Sequence, residues 1–186
     1  MSLYQDLLGP KYLELPPLVQ KMHQVTGELH AAGRGSVDRG RNPISRLIAG
    51  LLGMPKQGTW VPVHVTFRDQ GDGEWLIRDY DGTLLVTHQG RGTGADAGKL
   101  LEGFGPVSLI ISLDIEDQAL AFSLDTVRFL GMPLPRALWP QLTAYESEVD
   151  GWYVSYVDIG LPVIGRLIRY CCRIRPEADN IDTTGI

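Results

Sequence analysis

The hydrophobic pattern changes period near Gly58, and that change organises the chain. Before it, apolar residues recur at helical spacing. Ser2 to Leu8 reads as a short helix stopped by Gly9-Pro10. Pro16-Pro17 opens a second, Leu18 to Leu29, with Leu18, Met22, Val25 and Leu29 on one stripe. From His30 to Asn42 the chain is polar and carries Gly33, Gly35 and Gly40, which predicts a loop. Pro43 starts a third helix, Ile44 to Leu52, ended by Gly53 and Pro55.

After Gly58 the period is two. Trp60 to Arg68 places Val61, Val63, Val65 and Phe67 on one face, and Glu74 to Tyr80 and Thr83 to His88 follow as strands. Gln89 to Gly98 reads as a loop. Val107, Leu109, Ile111, Leu113 and Ile115 then alternate with polar residues, and Leu120 to Phe129 returns. The clearest hairpin is Gln141 to Gly160, because Asp150-Gly151 suits a turn that needs φ > 0 at both positions. A two-residue loop sets Tyr145 opposite Tyr156, Glu146 opposite Ser155 and Glu148 opposite Tyr153. A last strand runs from Arg166 to Arg175, and the tail 176–186 is expected to fray.

The expected fold is α+β in one domain: two or three N-terminal helices (1–55), then an antiparallel meander of about eight strands (59–175). A meander of that size curls into a barrel or half-barrel to remove its exposed edges. Both faces of the opening hairpin mix polar and apolar groups, which suits a sheet lining a partly polar cavity. Turn counting places the connections 102–106, 130–140 and 160–165 at one end of the sheet, and they are unusually apolar for loops. The N-terminal helices are expected to cap that end in part, because the Leu18–Leu29 stripe needs a surface. The remainder, Met132 to Trp139 with Arg136 at its rim, is the expected mouth or docking surface.

Net charge of −5 argues against general nucleic-acid binding, which requires a basic surface. The start of the chain has neither a basic nor an apolar leader pattern, and the two cysteines, Cys171 and Cys172, are adjacent. Both features point to a reducing cytoplasm.

Several segments, in order, carry a resemblance. They are 15–23 (LPPLVQKMH), 37–41 (VDRGR), 46–55 (RLIAGLLGMP), 73–80 (GEWLIRDY), 102–106 (EGFGP), 131–135 (GMPLP) and 161–170 (LPVIGRLIRY). On these the chain resembles the bacterial domain-of-unknown-function family DUF4166, from Leu3 to about Arg175. It departs from that pattern where Cys171-Cys172 replaces a Tyr-x-Gly-type ending after Tyr170. Domains of this family are often fused behind saccharopine-dehydrogenase-like nucleotide-binding domains, so the resemblance implies a companion role near an oxidoreductase. It implies no catalytic residue.

Candidate chemistry is sparse. The segment 90–98 is rich in glycine but lacks the G-x-G-x-x-G spacing and the helix a dinucleotide loop needs. His23, His30, His64 and His88 show no metal-ligand spacing, and no metal or cofactor is expected. His23 suits a hydrogen-bonded position at a helix–sheet interface better than a catalytic base. Arg34, Arg39, Arg41 and Arg46 are expected in a solvated loop, with anion binding as the alternative. The group of most interest is Glu74, Arg78, Glu102, Glu146 and Arg169. The expected placement is a solvated outer ring, worth about 0–1 kcal/mol per pair. The alternative puts Glu74 and Arg78 inside, where each charge must be paired or used.

These features favour a non-catalytic domain that binds a small amphipathic or lipid-like ligand. Glu74, Arg78, Glu146, Tyr145, Tyr156 and Arg169 would be polar contacts, and Met132, Leu134 and Trp139 would form the rim. The alternatives are a module docking to a partner protein or membrane through Met132–Trp139, and an enzyme using Glu74 and His23 at the mouth.

Overall fold

The computed structural model of the chain describes residues 1–177; the tail beyond Glu177 lies outside them. Eleven strands form one antiparallel sheet: β1 (Glu28–Arg39), β2 (Gly58–Asp69), β3 (Gly73–Tyr80), β4 (Thr83–Arg91), β5 (Leu100–Phe104), β6 (Val107–Glu116), β7 (Ala119–Phe129), β8 (Met132–Pro133), β9 (Gln141–Val149), β10 (Trp152–Leu161) and β11 (Gly165–Pro176). The two-residue β8 pairs only with β7. The other ten follow one another around a ring that closes where β1 meets β11. The fold is therefore α+β with a closed ten-strand barrel, two strands more than the sequence pattern suggests.

The two missed strands are β1 and β5. The predicted second helix stops at Met22, and the chain expected to be helix and then loop is β1, hydrogen-bonded to both β2 and β11. Its inward positions are small or apolar: Ala31 and Val37 are buried, with Gly33 and Gly35 between them. The glycines serve close approach. A Cβ on Gly33 would lie 2.0 Å from the carbonyl oxygen of Arg173, and one on Gly40 would lie 1.7 Å from that of Arg166. A larger side chain at either position would push β11 away and open the ring. Strand β5, only five residues long, hides in a stretch that reads as a loop and its exit.

The hairpin at Asp150-Gly151 forms as expected. Both residues have positive φ (53° and 70°), and Tyr145 pairs with Tyr156, Glu146 with Ser155 and Glu148 with Tyr153.

The helices do not cap the end that the sequence indicates. Helix α1 (Leu3–Leu8), a 3-10 turn (Gly9–Glu14) and α2 (Pro17–Met22) plug the opposite end, where the β6–β7 and β9–β10 turns lie. There Leu3, Tyr4, Leu8, Tyr12, Leu15, Val19 and Met22 are buried, each apolar side chain contributing about 1.5–3 kcal/mol. Polar ties fix the plug to the barrel rim. The Leu18 N–H donates to Glu148 Oε2 at 2.9 Å, Lys11 Nζ to Asp114 at 2.8 Å, and Arg91 Nε to Asp6 at 2.5 Å. The stripe does find a surface, but at the floor. Helix α3 (Pro43–Leu51), between β1 and β2, borders the apolar end beside the 3-10 turn Arg136–Leu138, and the Arg39 guanidinium holds the chain after α3 by donating to the carbonyls of Met54 and Pro55.

Gly33→Ala is expected to destabilise the protein by about 2 kcal/mol or more, through overpacking against β11. Gly50→Ala is expected to stabilise it by up to about 1 kcal/mol, since that glycine lies inside α3 with open space around its Cβ position. Urea unfolding of the two variants checks the contrast; equal effects would remove the closure argument.

Candidate functional site: a barrel cavity with a buried polar floor

Eight strands close on an interior that side chains can fill, and ten enclose more. The excess appears as a cavity of about 440 Å³. Its wall is apolar, including Phe67, Leu109, Ile111, Phe122 and Ile159, and Ile48 and Leu52 of the α3 region reach over its mouth. Three charged side chains line it: Arg78, Glu102 and Glu146.

Alternation along β3 carries Glu74, Leu76, Arg78 and Tyr80 inward. The expected outer ring of charge is thus overturned for Glu74 and Arg78, and equally for Glu102 and Glu146, which line the cavity. Arg78 Nη2 donates to Thr87 Oγ1 at 2.8 Å, and Nη1 donates to the Tyr170 hydroxyl at 3.3 Å. Glu102 Oε1 stands 3.7 Å from Nη2, close enough for ionic attraction but too far for a hydrogen bond. Burial pushes the Tyr170 hydroxyl up to about 12, although the Arg78 charge opposes that shift.

Below this layer, between barrel and plug, lies a second polar group. His23 ends α2 and is 1% exposed; its Nε2 is 2.6 Å from Glu146 Oε2, and its ring stacks on Tyr4 at 3.8 Å. The Tyr4 hydroxyl donates to Gln89 Oε1 at 3.0 Å. Glu74 is buried here with one carboxylate oxygen unpartnered. Burial first, then the nearby Glu146, Asp69 and Glu102 carboxylates, raise its pKa to about 7 against the opposing charge of His23. The His23–Glu146 pair matches the expected interface histidine. Glu74 and His23 sit at the floor beneath the plug and not at the mouth, where the enzyme reading needs them.

The remaining candidates divide. Tyr145 and Tyr156 stack at 5.0 Å on the hairpin face opposite Glu146 and Tyr153, and both still border the cavity. Arg169 is outward, its guanidinium on Asp158 at 2.8 Å, because alternation gives the inward place to Tyr170. Arg169 thus keeps the expected outer place, and it is not one of the expected polar contacts of the cavity. Leu134 lines the cavity, Trp139 Nε1 donates to the Leu134 carbonyl at 2.8 Å, and Met132 is exposed. These three occupy a gap in the wall. β7 and β9 pair only where Leu120–Phe122 meets Ala144–Glu146. Towards the mouth the two strands part, and the 130–140 connection fills the opening. Thr87, Gln89 and Tyr170 complete the site, and the inward alternation of β4 and β11 is the signal that would have found them. Arg34 and Arg39 belong to β1 and not to a loop.

This is a closed antiparallel barrel with a plugged floor, an open mouth and an apolar cavity set over buried charge. The family described as "Domain of unknown function (DUF4166)" matches residues 15–173, and the chain belongs to it. No curated protein and no solved structure matches. Among the described residues there is no group of three or more potential metal ligands, and no helix is long and apolar enough to cross a membrane.

The raised pKa of Glu74 fixes the sign of a pH effect. Between the ordinary value of 4.5 and about 7 the folded protein holds the proton that the unfolded chain releases, so this group costs stability as pH rises. Glu74→Gln is expected to stabilise the protein by about 1–3 kcal/mol at a pH near 8, a gain that fades towards a pH near 4.5. Unfolding midpoints across that range check it; a gain independent of pH would contradict the buried-carboxyl account.

Proposed function

We propose that the domain binds a small amphipathic or lipid-like molecule inside the barrel and performs no chemistry on it. The observation that carries this reading is the cavity, whose volume lies in the range of about 300–1,000 Å³ usual for small-molecule sites. The apolar chain of the ligand packs along Phe67, Leu109, Ile111 and Ile159, and its polar head lies towards Arg78, Glu102 and Glu146. The gap between β7 and β9, behind Leu134 and Trp139, is the route in.

The head is a hydrogen-bond donor, a hydroxyl or an amine, and not a carboxylate. Both terminal nitrogens of Arg78 already donate to protein oxygens, leaving Nε as its one unpartnered nitrogen, whereas among the described residues Glu102 accepts no hydrogen bond with either carboxylate oxygen. A carboxylate head would also face two carboxylates and one guanidinium. The position of His23 supports this reading over an enzymatic one, because the histidine does not line the cavity: Phe67, Tyr153 and Glu146, which do, lie against its ring. Two free cysteines, Cys171 and Cys172, suit action in the reducing cytoplasm.

The neutral fluorophore N-phenyl-1-naphthylamine is expected to bind one-to-one. Ala144→Trp, which fills the cavity wall, should weaken it by about tenfold or more, equivalent to about 1.4 kcal/mol. In competition, dodecanol and dodecylamine should displace the probe at lower concentration than dodecanoate. Failure of the folded protein to bind the probe overturns the binding function. Preference for dodecanoate overturns only the placement of the head.

A further inference from the structure

The two ends of the barrel differ in charge as well as in cover. The mouth is built from 40–57, the 81–82 turn, the 105–106 turn, 130–140 and 162–164. These segments contain Arg41, Arg46, Lys56 and Arg136 against one carboxylate, Asp81, in a chain of net charge −5. The plugged end is the reverse: its connections 70–72, 92–99, 117–118 and 150–151 carry Asp72, Asp96, Asp117 and Asp150 against Lys99, while in the plug Asp6 and Glu14 are balanced by Lys11 and Lys21. Such a separation gives the molecule a dipole along the barrel axis, with the mouth positive.

The mouth also exposes large apolar side chains. Leu51 is 78% exposed, Leu130 69% and Met132 66%, and Leu47, Leu138 and Val163 stand out beside them. Helix α3 is amphipathic towards the barrel, with Ala49 buried and Ile48 over the cavity, yet its outer side carries Leu47 and Leu51. Apolar side chains ringed by cations at one end of a protein fit one kind of surface well. A lipid interface takes the side chains below its headgroups, and its anionic lipids meet the cations.

We infer that the mouth docks on an anionic phospholipid bilayer, with α3 and the 130–140 connection inserted at headgroup depth and the plug pointing away. The acidic turns at the far end are repelled by the same surface, so charge sets the orientation before the apolar groups insert. In this pose the 130–140 connection that fills the gap between β7 and β9 lies in the lipid interface, and an amphiphile exchanges past it without crossing water. The docking itself rests on the outer surface of the mouth and not on what the cavity holds.

Co-sedimentation with large unilamellar vesicles tests this. The full chain is expected to pellet with phosphatidylcholine vesicles containing a minor fraction of phosphatidylserine, several-fold more than with phosphatidylcholine alone, and high salt should release it. Leu47→Glu and Leu130→Glu, both at exposed positions, should each abolish pelleting while the thermal unfolding curve stays as in the parent. Leu13→Glu, exposed on the plug, should pellet as the parent does. Ala144→Trp should still pellet, which separates docking from cavity binding. Absence of vesicle binding overturns the inference, as does equal loss with Leu13→Glu. Burial of Leu47 and Leu130 in a solution dimer, read from sedimentation of the two Glu variants, would assign the surface to a second copy and overturn it too.

Discussion

Ring size is the constraint on which the rest of this structure depends. Ten strands closed edge to edge enclose more volume than their inward side chains fill, so an apolar void follows from strand number and not from any one residue. Closure requires β1 to lie flat between β2 and β11, and that requires backbone approach close enough to exclude a Cβ at Gly33. A strand of small inward residues is thus the condition for the cavity, although it contributes little to the cavity's wall.

The void is open at one end only. The N-terminal segment buries its apolar stripe as a plug, and beneath the plug the barrel holds groups that would be costly alone: His23 against Glu146, Tyr4 on Gln89, and a Glu74 carboxyl whose pKa rises because burial disfavours its charge. Arg78 stands above them with its terminal nitrogens on Thr87 and Tyr170. Rigid polar floor and open apolar mouth together give the site a direction, which is what an amphipathic ligand requires. The same direction reappears outside, in the positive mouth and the acidic far end.

The period-two runs made the meander and its hairpin register legible, since Asp150-Gly151 dictates the pairing of Tyr145 with Tyr156 by local geometry alone. The pattern was silent where small residues carry the strand. Gly33, Gly35 and Gly40 look like loop residues until β11 lies beside them, and that proximity is a long-range fact. The site was half legible for a related reason. Glu74 and Arg78 share a face by spacing, but which face is inside depends on closure, and the same ambiguity made Arg169 an expected ligand contact when its neighbour Tyr170 is the one that points inward. The plug was misplaced because periodicity tells which side of a helix is apolar and not which end of a barrel it meets.

Methyl chemical shifts test the central claim most directly. In a protein labelled at its Ile, Leu and Val methyls, titration with a neutral alkyl ligand should shift Leu109, Ile111, Val157 and Ile159, which line the cavity, and leave outward Val86 and Leu13 unmoved. Shifts confined to exposed methyls, with those four unchanged at saturation, would contradict an interior binding site.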